Sequence, residues 1–173
     1  MIEISARLPV QWEGDTVGNM AEGSLLLRVL ALLESQAVQD DDDSPEALRW
    51  QAMEARIDLC LQLLAQLLAR NAPPPAAVPL RLASSQLAWE SAQALAQGMA
   101  GAVAIWLSPL LPRPLLLPAR ISACDAHGDA FWITAQFDVL DSQLQDLLDK
   151  TIFRKHRREV FERRHQGSGH ESA

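Results

Sequence analysis

From Ser44 to Asn71 the stretch SPEALRWQAMEARIDLCLQLLAQLLARN spaces its apolar residues in steps of three and four. Trp50, Ile57 and Leu64 fall at a positions of a heptad, and Met53, Cys60 and Leu67 at d. That spacing predicts a helix with an apolar seam. Ser44 suits the N-cap, Pro45 the first helical position and Glu46 the positive end of the dipole. Neither Gly nor Pro follows until Pro73. The stripe widens in its second half, where Leu61 and Leu68 take e and Leu63 takes g. Two-stranded coils favour charge at e and g, so an apolar flank there calls for cover from more than one side. Two readings stand: a helix packed inside its own domain, or an oligomerisation helix. The second predicts an interface of Trp50, Met53, Ile57, Cys60, Leu61, Leu64, Leu67 and Leu68.

Upstream, Leu26, Leu30, Leu33 and Ala37 share one helical face from Gly23 or Ser24 to about Val38, with Leu27 and Val29 beside it. The four acids Asp40 to Asp43 then read as a solvated connector. The two helices are expected to pair as an antiparallel hairpin, an oligomerisation arm over 23–71. Residues 1–22 are expected to be an extended segment, with Ile2, Ile4 and Ala6 alternating against Glu3, Ser5 and Arg7 as in a short strand. APPPAAVP is a stiff linker, and beyond it the period changes from helical to twofold.

Val78–Ser84, Leu87–Ser91, Met99–Leu107, Leu115–Cys124 and Phe131–Phe137 read as short strands. Asp125-Ala126-His127-Gly128-Asp129 is a hairpin turn in which Gly128 can take positive φ. A final helix runs from Ser142 to about His165, capped by Asp141 or Ser142, and 166–173 is expected to be a disordered tail. The fold class is therefore α+β: a long helical hairpin with heptad repeats, then over 72–165 a small antiparallel β-barrel with a C-terminal helix. On that division, removing residues 1–71 should leave the barrel folded.

Composition narrows the function classes. The chain has 173 residues, 49% hydrophobic and 21% charged, with a net charge of −7. Residues 1–149 carry 8 Lys+Arg against 19 Asp+Glu, a net −11, while 150–173 carry 7 against 3, a net +4. An acidic body argues against nucleic acid as partner. The basic run Arg154, Lys155, Arg157, Arg158, Arg163 and Arg164 is either a solvated helix face or a dock for an acidic surface, including the arm of a sister chain. Two cysteines are too few for a disulfide framework. MIEISARLPVQW has neither a basic n-region nor an apolar h-region, and Val103–Pro118 is broken by prolines, so a cytoplasmic protein without membrane insertion is expected.

No residue set for catalysis stands out. Cys124-x-x-His127 has metal-like spacing but no partner pair, and the acids 40–43 come from one segment only. Phosphate loops, nucleophile elbows and HExxH motifs do not occur. Neither enzyme activity nor a cofactor or metal is expected.

The last third, with its strand meander ending at Gln136-Phe137 and a helix carrying Leu147-Leu148-Asp149-Lys150-Thr151-Ile152-Phe153-Arg154-Lys155-His156-Arg157-Arg158, resembles the PilZ domain over roughly 76–160. With the heptad helices and the opening Leu8-Pro9-Val10-Gln11-Trp12, it resembles the atypical, tetrameric branch of that family. The resemblance implies a small barrel, four chains joined by a helical bundle, and a place in cyclic di-GMP or type IV pilus signalling through protein partners. PilZ domains grip the dinucleotide with an RxxxR segment ahead of the first barrel strand and a [D/N]xSxxG strand. Here Arg81 stands at the acid or amide position, Ala83 at the serine and Gln86 at the glycine, and Asn71–Pro79 holds no arginine. Binding of cyclic di-GMP in the usual way is therefore not expected. The alternative is a direct nucleotide receptor whose basic site is made by Arg81, Arg113 and Arg120.

Overall fold

The computed structural model describes residues 2–14, 16, 18–35, 45–71, 73–109, 111 and 113–167. The acids 40–43, the Ser44 cap and the tail beyond 167 lie outside them, as do the side chains of Leu68, Arg163 and Arg164. Six strands form a closed barrel: β1 (Glu3–Glu13), β2 (Ala77–Ala83), β3 (Gln86–Ser91), β4 (Ala100–Ile105), β5 (Leu115–His127) and β6 (Ala130–Phe137). Around the barrel they follow the order β1-β2-β3-β6-β5-β4, antiparallel throughout. Among the described residues three helices join them: α1 (Met20–Ser35), α2 (Pro45–Asn71) and α3 (Ser142–Gly167).

Alternation places the barrel core as expected. On β5, Leu115, Leu117, Ala119 and Ile121 point inward while Leu116, Pro118 and Arg120 do not. Ile4, Leu80, Leu82, Leu87, Val103, Ile105, Ile133 and Ala135 complete the packed interior. The β5–β6 hairpin turns at Gly128, whose φ of +62° is strained for any residue with a Cβ. Asp141 caps α3 by accepting the Leu144 N–H at 2.7 Å. The buried Leu144, Leu148 and Ile152 then seat that helix on the body.

Three expectations are corrected. The segment expected over 1–22 supplies β1, a barrel strand that pairs with β2 through Glu3–Pro9 and with β4 through Val10–Glu13. Pro9 sits where β1 changes partner; its carbonyl accepts the Trp106 N–H at 3.1 Å, and its missing N–H costs no ladder bond. The helical arm is thus an insertion between the first two barrel strands, and a cut at residue 71 would remove one of the six. Second, α1 begins at Met20, because Asn19 Oδ1 accepts the Ala21 and Glu22 N–H groups at 3.1 and 3.3 Å.

Third, the main packing partners of α1 are α3 and β5, not α2 as an antiparallel hairpin requires. Leu27 and Leu30 are buried there. The C-terminal end of α1 is tied by Glu34, which pairs with Arg154 Nε at 3.3 Å and Lys155 Nζ at 3.2 Å.

Candidate interaction surfaces

Two places bear on function: the outside of α2, and the β2–β3 corner where a dinucleotide motif would lie. Helix α2 spans 27 residues. The seam residues Trp50, Met53, Ile57, Leu64 and Leu67 are 45–56% exposed on the single chain, as are Leu59 and Leu63. Cys60 is exposed too, and Leu61 is only partly buried. Soluble chains rarely leave so continuous an apolar strip in water, and large exposed patches mark interaction sites. At roughly 25 cal/mol per Å², covering the exposed half of a Leu, Ile or Trp side chain contributes about 1 kcal/mol. Six or seven such residues together outweigh the lower estimates of what association costs.

At the β2–β3 corner, Arg81 is paired in register with Ser5 on β1 and Ala88 on β3, and its guanidinium lies over the Trp132 ring, 5.4 Å from the centroid. Ala83 is buried, opposite Glu3. Gln86 pairs with Gln136. The corner is held from below, where Gln145 Nε2 donates to the Ser84 carbonyl at 3.1 Å and the Phe137 N–H to the Ser85 carbonyl at 2.9 Å. Because β1 is the first barrel strand, Asn71–Pro79 is not the segment ahead of the barrel. The motif comparison therefore rests on Arg81, Ala83 and Gln86.

The three arginines considered together have separate partners. Arg113 pairs with Glu22 at 2.6 Å, Arg120 Nη1 donates to the Gly98 carbonyl at 2.9 Å, and Arg81 stacks on Trp132. None of them shares a partner with another. The basic run on α3 is also partly spent within the chain, since Arg154 and Lys155 hold Glu34. Arg157 lies 5.9 Å from the Phe153 ring centroid. Cys124 is a half-buried strand residue, and among the described residues no group of three or more His, Cys, Asp or Glu side chains is placed to hold a metal ion. No described helix is long and apolar enough to cross a membrane.

Fold and surface define a class: a small closed antiparallel barrel that carries a long, apolar-seamed helix inserted after its first strand. The chain belongs to the atypical PilZ domain family, described as a cyclic di-GMP receptor, whose family model matches residues 27–165. Among solved structures it is similar to a pathogenic protein from Xanthomonas campestris, a tetrameric PilZ domain self-assembled through a helical bundle. The TM-score is 0.83 and the identity 29%, covering 92% of this chain and 90% of that one. No curated protein matches the chain in sequence.

Proposed function

We propose that this protein is a non-enzymatic PilZ interaction protein that assembles through α2 and acts through protein partners in cyclic di-GMP or type IV pilus signalling. It does so in the cytoplasm, without binding cyclic di-GMP in the usual way. One observation carries the assembly: the seam residues of α2 are about half exposed on a single chain. The similar Xanthomonas protein, self-assembled via a helical bundle, supports a tetramer. Displaying several barrels on one bundle multiplies a weak contact per barrel without any new chemistry.

The ligand part rests on the three substituted motif positions. A guanidinium at residue 81 replaces the acid or amide, residue 83 has no hydroxyl, and a long side chain at residue 86 replaces glycine. The family's description as a cyclic di-GMP receptor makes titration the test. Calorimetry with cyclic di-GMP on the oligomer is expected to give no saturable heat at micromolar concentration. Saturable binding abolished by Arg81→Ala or Arg120→Ala would replace this reading with that of a direct receptor. The separate engagements of Arg81, Arg113 and Arg120 speak against such a shared site.

A further inference from the structure

Helix α3 buries one side against the body, and its outer side changes character along its length. Lys150–Phe161 holds five Lys+Arg against one acid, Glu159. At roughly 100° per residue, Phe153, Arg157, Val160 and Phe161 fall within about a third of the helix circumference, with Arg154 and Arg158 along one edge. Glu159 falls on the opposite side, at the azimuth of the buried Leu148 and Ile152. Phe153 and Phe161 are 48% and 62% exposed, and the Arg157 guanidinium lies 5.9 Å from the Phe153 ring centroid. The ion pairs that tie Arg154 and Lys155 to Glu34 do not extend to Arg157 and Arg158, which are both exposed. The outer side thus joins aromatic surface to arginine with no acid among them.

We infer that this outer side of α3, centred on Phe153, Arg157 and Phe161, docks the protein on the surface of an anionic phospholipid membrane. Basic side chains beside aromatic ones on one helix face suit that interface, where the arginines meet lipid phosphates and the rings enter the headgroup–acyl boundary. The contact is peripheral, and no described helix is long and apolar enough to cross the bilayer. Two features favour lipid over a macromolecule. The shallow groove between Arg154, Arg157, Arg158 and Phe161 is lined by α3 alone, so no second wall gives it the shape that selects one protein surface. A phosphate backbone would pair with the arginines yet leave the two rings in water, and the acidic body would repel it. The site belongs to a single chain, so assembly would multiply the contact without creating it.

The test is sedimentation of the intact protein with vesicles of phosphatidylglycerol and phosphatidylcholine in equal parts, against vesicles of phosphatidylcholine alone. Arg157→Glu/Arg158→Glu removes the cations and Phe153→Ser/Phe161→Ser the rings; all four side chains are exposed, and circular dichroism checks the fold. Arg7→Glu/Arg120→Glu, on exposed barrel positions, makes the same change in net charge elsewhere. The expected result is saturable binding to the anionic vesicles only, weakened by salt. The lipid concentration at half-binding should rise about tenfold or more with the glutamates, about threefold with the serines, and less than twofold with the control. No sedimentation with anionic vesicles overturns the inference, as does an equal loss in the control, which would make the binding a matter of net charge alone. Binding to immobilised polyglutamate that needs Arg157 and Arg158, without binding to vesicles, also overturns it and makes this side of α3 a dock for an acidic protein.

Discussion

Ile57→Asp combined with Leu64→Asp separates assembly from folding. Each of the two residues is 53% exposed on the single chain, so a carboxylate at either position can stay in water there. The intrachain cost is the lower helix propensity of Asp, about 0.5 kcal/mol or less per site. In the proposed bundle both positions are a positions facing other copies. There the substitution forfeits about 1 kcal/mol of burial per residue. It also buries a carboxylate among leucines, which costs several kcal/mol unless the charge escapes to water or takes up a proton. Two such sites per chain, repeated in every copy, should weaken association by well over a thousandfold, since about 4 kcal/mol already gives that factor. Light scattering should then report one chain where the wild type reports several, with the far-ultraviolet dichroism of the barrel and of α1 and α3 retained. An unchanged particle mass would refute the reasoning, because no interface of leucines accommodates that many charges.

The remaining predictions concern the body. Deleting residues 45–71 across a short Gly/Ser link should leave a folded single chain, because β1, α1 and every barrel ladder remain; deleting 1–71 should abolish the cooperative melt, because β1 pairs with both β2 and β4. Gly101→Ala should destabilise by about 1–3 kcal/mol, since a Cβ there would lie 2.6 Å from the Glu13 carbonyl oxygen and 2.8 Å from Trp12 Cζ2, seen as a fall of several degrees in Tm. Glu34→Gln removes the carboxylate shared by Arg154 and Lys155 and should cost about 1 kcal/mol at low salt, less at 1 M salt.

The barrel was legible in the sequence wherever one strand face is buried and the other is not. Leu115, Leu117, Ala119 and Ile121 announce β5 by alternation alone, and Gly128 announces its turn. The first strand was legible in its opening alternation of Ile2, Ile4 and Ala6 against Glu3, Ser5 and Arg7, but its place in the barrel was not. Pro9 is tolerated within it through a partner change between β2 and β4 that only the closed barrel reveals. The partner of α1 was hidden for a different reason. With Leu26, Leu30 and Leu33 on one face and Leu27 and Val29 beside it, periodicity identifies a helix without saying which element covers that face. The α2 seam was legible as spacing, yet the exposure that turns spacing into a surface needs the rest of the fold.

The claim on which the account depends is that the apolar length of α2 is shared between copies. The most direct measurement is the particle mass of the intact protein in solution across a range of concentrations. The account predicts a discrete assembly near four times the 19.0 kDa of one chain. A particle of one chain's mass, persisting to millimolar concentration with the α2 leucines still open to solvent, would contradict it.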